Sequence, residues 1–91
     1  MLLIFWNAAA VDDLDDIIDY IAEYDVHAAI DMHERIESAV HPASEHPYLY
    51  RPGRVPGTRE IVAHPNYVVV YEVRADRIEV MAVLHARQEY P

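Results

Sequence analysis

The period of the apolar residues changes once along this chain, and that change constrains the fold more than any other feature. From Val11 to Val40 apolar side chains recur every third or fourth residue. They fall at Val11, Leu14, Ile17, Ile18, Ile21 and Ala22, then at Ala29, Met32, Ile36 and Val40. From Thr58 to His85 that spacing is lost: apolar residues gather in short runs, and over 67–74 Tyr67, Val69, Tyr71 and Val73 fall at every second position. The first spacing stripes one side of a helix and the second lines one face of a strand. The chain therefore reads as two amphipathic helices followed by a sheet, with one extra strand ahead of them in the apolar run Leu2 to Trp6.

Local signals sharpen this outline. Asn7 suits an N-cap, since its side-chain oxygen can accept from the free donors of the next turn, and helix 1 is expected over 8–24. Asp12, Asp13, Asp15, Asp16 and Asp19 occupy its opposite side and read as a solvated face, because nothing rigid converges on them to hold a metal. Asp25 is the expected cap of helix 2, and so short a link makes the helices an antiparallel hairpin. His33 falls on the second stripe and reads as a packed core histidine. Four of the six prolines then lie between Pro42 and Pro56, and the only two glycines are Gly53 and Gly57. Continuing a regular helix past Pro42 is expensive, which leaves at most a distorted turn around 43–46. Pro47, Tyr48, Leu49 and Tyr50 would be costly to leave wholly exposed, so this segment is expected to dock.

Strands are expected at 58–64, 67–74 and 77–85, joined by tight turns at His64-Pro65-Asn66 and Ala75-Asp76 that demand antiparallel pairing. In the middle strand Tyr67, Val69, Tyr71 and Val73 share a face. In the last, Ile78, Val80, Ala82 and Leu84 share one, while Met81 and Val83 make the other apolar too, so that strand is expected inside the sheet. The fold class is α+β in the order β-α-α-β-β-β, a helical hairpin packed on a mainly antiparallel four-stranded sheet, in one domain spanning 1–91.

Charge is divided as sharply as period. The net charge is −9, with −10 in residues 1–50 and +1 in residues 51–91, and every base is an arginine. The overall field opposes non-specific nucleic-acid binding, while local arginine sites remain available in the second half. With no cysteine, a disulfide framework, a thiolate metal site and a cysteine nucleophile are excluded. The six histidines have no zinc-binding spacing, and no glycine loop or nucleophile elbow suggests a cofactor, so neither metal nor cofactor is expected. No segment is long enough to cross a bilayer, and the expected location is cytoplasmic.

Candidate chemistry gathers in the second half. Arg51, Arg54 and Arg59 fall in a stretch free of acids, and Arg87 follows the last strand with His85 before it and Tyr90 after it. Arginines can hold a phosphodiester and stabilise its transition state, and a histidine or tyrosine can move a proton. The competing structural role, which spacing alone favours, is for Arg59 and Arg87 to pair with Glu60, Glu89 or backbone carbonyls. His85 and Arg87 would share a side if the last strand ran on through them.

Three segments in order carry a family resemblance: Gly53-Arg54-Val55-Pro56-Gly57-Thr58-Arg59-Glu60, Asn66-Tyr67-Val68-Val69-Val70-Tyr71-Glu72-Val73, and Val83-Leu84-His85-Ala86-Arg87-Gln88-Glu89-Tyr90-Pro91. With Trp6, Ala10, Asp13-Leu14, Ile17, Tyr20-Ile21 and Ala28-Ala29, they resemble the RelE/ParE toxins of type II toxin–antitoxin systems over essentially the whole chain. The resemblance implies a toxin held inactive by a cognate antitoxin, ParD-like or similar, whose tail folds on binding. It implies one of two targets, DNA gyrase for ParE-like members or mRNA in the ribosome for RelE-like endoribonucleases; a decayed, non-toxic binding partner is the third reading. Arg59 and Arg87 match basic family positions, whereas Val68 and Ile61 stand where RelE-like catalysis would want basic residues. The His85-Ala86-Arg87-Gln88 ending looks like the ParE-like branch. If the chain were a nuclease, the resemblance would look to Arg59, His85, Arg87 and Tyr90. Arg51, Arg54, Arg59 and Arg87 are the candidates for contact with target or antitoxin.

Overall fold

The computed structural model describes residues 1–88. Its elements are β1 (Leu3–Trp6), α1 (Ala8–Ala22), α2 (Val26–Glu45), β2 (Arg51–Pro52), β3 (Thr58–His64), β4 (Tyr67–Val73) and β5 (Arg77–His85). The sheet runs in the order β1-β5-β4-β3-β2. β1 pairs parallel to β5 from Leu3 opposite Arg77 to Trp6 opposite Val80, and the remaining pairs are antiparallel. This is the expected α+β architecture, with the two-residue strand β2 added at one edge and β5 inside the sheet.

Both helix caps form as the sequence indicates. The Asn7 side chain accepts from Ala10 N at 2.8 Å and that of Asp25 from Ala28 N at 3.0 Å. The hairpin then lays its apolar stripes on the sheet. Ala10 and Leu14 from α1 and Ile36, Val40 and Ala43 from α2 meet Ile61, Val69, Tyr71, Ile78, Val80 and Val83 in one core. Removing these side chains from water supplies most of the driving force for folding.

Four expectations change. Helix α2 does not stop at Pro42 but continues to Glu45. A proline costs the helix one backbone bond, and here the last turn gains compensation. Ala43 and Ser44 are buried, Ser44 Oγ donates to His41 O at 2.9 Å, and Leu2 N donates to Ser44 O at 2.9 Å. The second change lies in β5. Val70 pairs with Ala82 but Tyr71 with Val80, so Met81 is an extra residue in a β-bulge. A bulge reverses the side-chain alternation beyond it. Ile78 and Val80 therefore share the core with Val83, while Ala82 and Leu84 face the other way. Third, His33 is not in the core. Its side chain is 41% exposed and its Nδ1 lies 3.0 Å from Glu37 Oε1, one helical turn on. Fourth, strand β5 ends at His85 and the chain turns, so His85 and Arg87 do not share a strand face.

The segment after α2 docks as expected, but not through the side chains anticipated. Tyr48 and Leu49 stay largely exposed. What holds the segment is its backbone: the Tyr71 hydroxyl donates to Pro47 O, and Arg59 Nη1 donates to Tyr48 O at 3.3 Å and Tyr50 O at 2.7 Å. The Tyr50 ring also meets the Tyr71 ring edge to face, with centroids 6.3 Å apart. The following hairpin depends on both glycines. Gly57 sits at φ 87°, a region that side chains disfavour, and a Cβ on Gly53 would lie 2.1 Å from Thr58 Oγ1. Among the described residues no helix is long and apolar enough to cross a membrane.

Candidate functional site

The candidate arginines divide into an engaged set and one exposed residue. Arg51, in β2, and Arg54, in the turn beyond it, converge on Glu60 of β3. Arg51 Nη2 lies 3.0 Å from Glu60 Oε1, and Arg54 Nε lies 4.0 Å from Glu60 Oε2. Glu60 is buried, so two cations offset the desolvation of one carboxylate. Arg54 Nη1 also donates to Gln88 O at 3.1 Å, which ties the chain beyond β5 to the β2–β3 hairpin. Arg59 points to the helix-facing side of the sheet. Besides its two carbonyl bonds, its guanidinium lies over the Tyr48 ring, 5.1 Å from the centroid. Arg59 thus carries the structural role weighed against function from the sequence, on backbone carbonyls, while Glu60 is taken by Arg51 and Arg54 and Glu89 lies outside the described residues.

Arg87 differs from all three. It is exposed, it follows the last strand, and its guanidinium makes no hydrogen bond or ion pair among the described residues. Its backbone N–H donates to His85 Nδ1 at 3.2 Å, which holds the turn. Tyr90 lies outside the described residues.

Arg59 and His85 do not come together. Arg59 is paired across from Tyr71 and His85 across from Tyr67, on opposite sides of β4. Four residues of strand rise and two inter-strand spacings separate their backbones by roughly 16 Å. Arg59 and His85 therefore do not form one cluster.

Sequence reasoning missed a groove at the end of β5. Its volume is about 510 Å³, and Asp13, Asp16, Ile17 and Tyr20 of α1 line it opposite Tyr67, Val83, His85 and Gln88. Pairing of β5 with β1 ends at Val80, so the farther part of β5 runs beside α1 instead. There Asp13 Oδ2 accepts from Val83 N at 3.0 Å, satisfying an edge donor that β1 is too short to reach. Asp13 is thus half-buried and bonded, where the sequence placed it on a solvated face. The helical spacing of Asp13, Asp16, Ile17 and Tyr20 was visible in the sequence; the strand end that faces them was not.

Comparison with known proteins agrees with this architecture. The family described as "ParE toxin of type II toxin-antitoxin system, parDE" matches residues 4–90. Protein Y4kP of Sinorhizobium fredii, named as a toxin, is 39% identical over 94% of this chain and 90% of its own length. Toxin RelE2 of Caulobacter vibrioides is 32% identical over 94% of this chain and 97% of its own. Among solved structures, a chain of the chromosomal ParDE system from P. aeruginosa superposes with a TM-score of 0.82 at 24% identity, covering 93% of this chain and 96% of that one. Protein HP0894 of Helicobacter pylori superposes with a TM-score of 0.62 at 17% identity, covering 97% and 98%. Both show a shared fold.

Proposed function

This chain belongs to the ParE toxins of type II toxin–antitoxin systems, within the RelE/ParE superfamily, and from that membership we propose that it arrests growth by inhibiting DNA gyrase, with its cognate antitoxin holding it inactive. The observation that supports the gyrase reading is the separation of Arg59 from His85. A ribosome-dependent endoribonuclease needs its phosphate-binding arginines and its proton-transfer group around one scissile bond. Here the Arg59 guanidinium is bonded to the carbonyls of Tyr48 and Tyr50, and the backbones of Arg59 and His85 lie roughly 16 Å apart by strand geometry. Val68 and Ile61, both buried, occupy the places where RelE-like catalysis would want bases. A non-enzymatic inhibitor has no such requirement, since it needs only a fixed surface to present.

Arg87 is the residue assigned to the target. It stands beyond a rigid sheet, exposed, with a planar cation suited to a carboxylate or phosphate. Arg51 and Arg54 are assigned to the antitoxin, whose tail acids they would meet at the hairpin. The name of the Caulobacter relative favours the second reading, an endoribonuclease, and the same experiment separates the two. The purified chain is added to a gyrase supercoiling reaction, and the chain is induced in cells without antitoxin. Loss of supercoiling in vitro, with filamentation and an SOS response in cells, is expected. Cleavage of mRNA in the ribosomal A site with supercoiling untouched would overturn the gyrase reading, and unimpaired growth would indicate a decayed partner.

A further inference from the structure

We propose that the groove between α1 and the end of β5 receives a basic side chain of the antitoxin, so that this contact has the reverse of the polarity expected at the arginines. The proposal rests on the antitoxin reading above and names the chemistry of one contact within it.

The groove is open, and its lining is partly apolar and partly acidic. Ile17 and Val83 supply aliphatic surface, and Tyr20 and Tyr67 supply ring faces and edges. Asp13 and Asp16 bring two carboxylates. No arginine lines the groove. Asp13 has already given one oxygen to Val83 N. Asp16 is exposed and makes no hydrogen bond or ion pair among the described residues. The sole base of residues 1–50 is Arg35, and its Nε is bonded to Ala63 O on β3. Neither Arg35 nor a lining arginine therefore offsets the carboxylates of the groove.

This combination selects its occupant. A volume of about 510 Å³ exceeds what an ion needs, and no set of three or more metal-ligating side chains gathers among the described residues. A lysine or arginine has an aliphatic stem that lies on Ile17 and Val83, and a cationic head that reaches Asp16 and the tyrosine rings. An acidic or purely apolar side chain would leave the carboxylates facing a like charge or a dry wall. The groove also continues into exposed apolar surface. Tyr20 is 62% exposed and its ring lies 5.4 Å from that of Tyr24, itself 76% exposed. An amphipathic helix could cover these rings while placing one base in the groove.

The test uses the full chain and the full antitoxin encoded beside it, with affinity measured by calorimetry. Asp16→Arg should weaken binding by about tenfold to a hundredfold, as expected when like charges face each other in an interface. Asp16→Asn should weaken it less, and the wild-type complex should lose more affinity than the Asp16→Asn complex as salt rises. The melting temperature of each free variant should stay near that of wild type, because Asp16 has no partner to lose. Exchanging the antitoxin base that meets the groove for glutamate should restore binding to Asp16→Arg. Binding of Asp16→Arg within twofold of wild type would overturn the proposal while leaving the antitoxin reading intact, and so would a complex with an acidic or apolar residue in the groove. Failure of the wild-type pair to bind would overturn both.

Discussion

The arginines at 51, 54 and 59 and the arginine at 87 have the same chemistry and end in opposite states. The first three lie at the hairpin edge of the sheet, where a buried carboxylate and a docked backbone need donors. Arg87 lies past the end of β5, where nothing in the described fold makes a demand on it. Density of charge in the sequence therefore marked arginines that also carry bonds within the fold, whereas the Arg87 guanidinium makes none among the described residues. A cluster of bases is a poor guide to function when buried acceptors lie within reach of it.

That contrast can be broken at its structural end first. Tyr71 is fully buried and anchors Pro47, so Tyr71→Ala should destabilise the chain by about 3–5 kcal/mol, read as a shift of the denaturant midpoint. A full-length variant melting like wild type would show that the docked segment contributes nothing.

Alkaline pH probes the same anchor. Burial pushes the Tyr71 phenol from its ordinary value near 10 up to about 12. The folded state thus keeps a proton that the unfolded chain releases more readily. Its contribution is complete below about pH 10 and is lost as pH rises through about 12, by roughly 2–3 kcal/mol. Tyr71→Phe should flatten that part of the stability profile, and an unchanged slope between pH 10 and 12 would contradict the assignment.

Arg59→Ala should cost about 1–3 kcal/mol, because the carbonyls of Tyr48 and Tyr50 lose a shared charged donor. Hydrogen exchange should accelerate in residues 47–52 and little elsewhere. Equal acceleration across the sheet would make Arg59 a general core support and not a local clasp.

The smallest stability effect belongs to Arg87→Ala, within about 0.5 kcal/mol as for other unpartnered surface positions. That variant should nonetheless abolish growth arrest while melting like wild type. Retained toxicity at normal expression would remove Arg87 from the target surface, and a collapsed melting temperature would return it to the structural set.

The candidate site was only partly legible beforehand. Arg87 stands out in the sequence because it follows an apolar run that ends abruptly, and in the structure it is exposed. The role of Arg59 could not be told from its neighbours, because its acceptors are backbone carbonyls that any residue would carry. The groove was hidden for a related reason. Asp13 and Asp16 look like the other aspartates of α1, and only the short reach of β1 leaves a strand edge for Asp13 to satisfy.

Periodicity and capping chemistry were enough to determine the helices, their starts at Asn7 and Asp25, the strands and their tight turns, because each depends on residues a few positions apart. Tertiary structure alone decided the parallel pairing of β1 with β5, the passage of α2 through Pro42, the bulge at Met81 and the fates of the individual arginines. Each of these is settled by a partner distant in the chain. A proline is tolerated where Ala43 and Ser44 gain burial, a bulge sits where two strands must both present apolar faces, and a guanidinium turns toward whichever acceptor has been taken out of water.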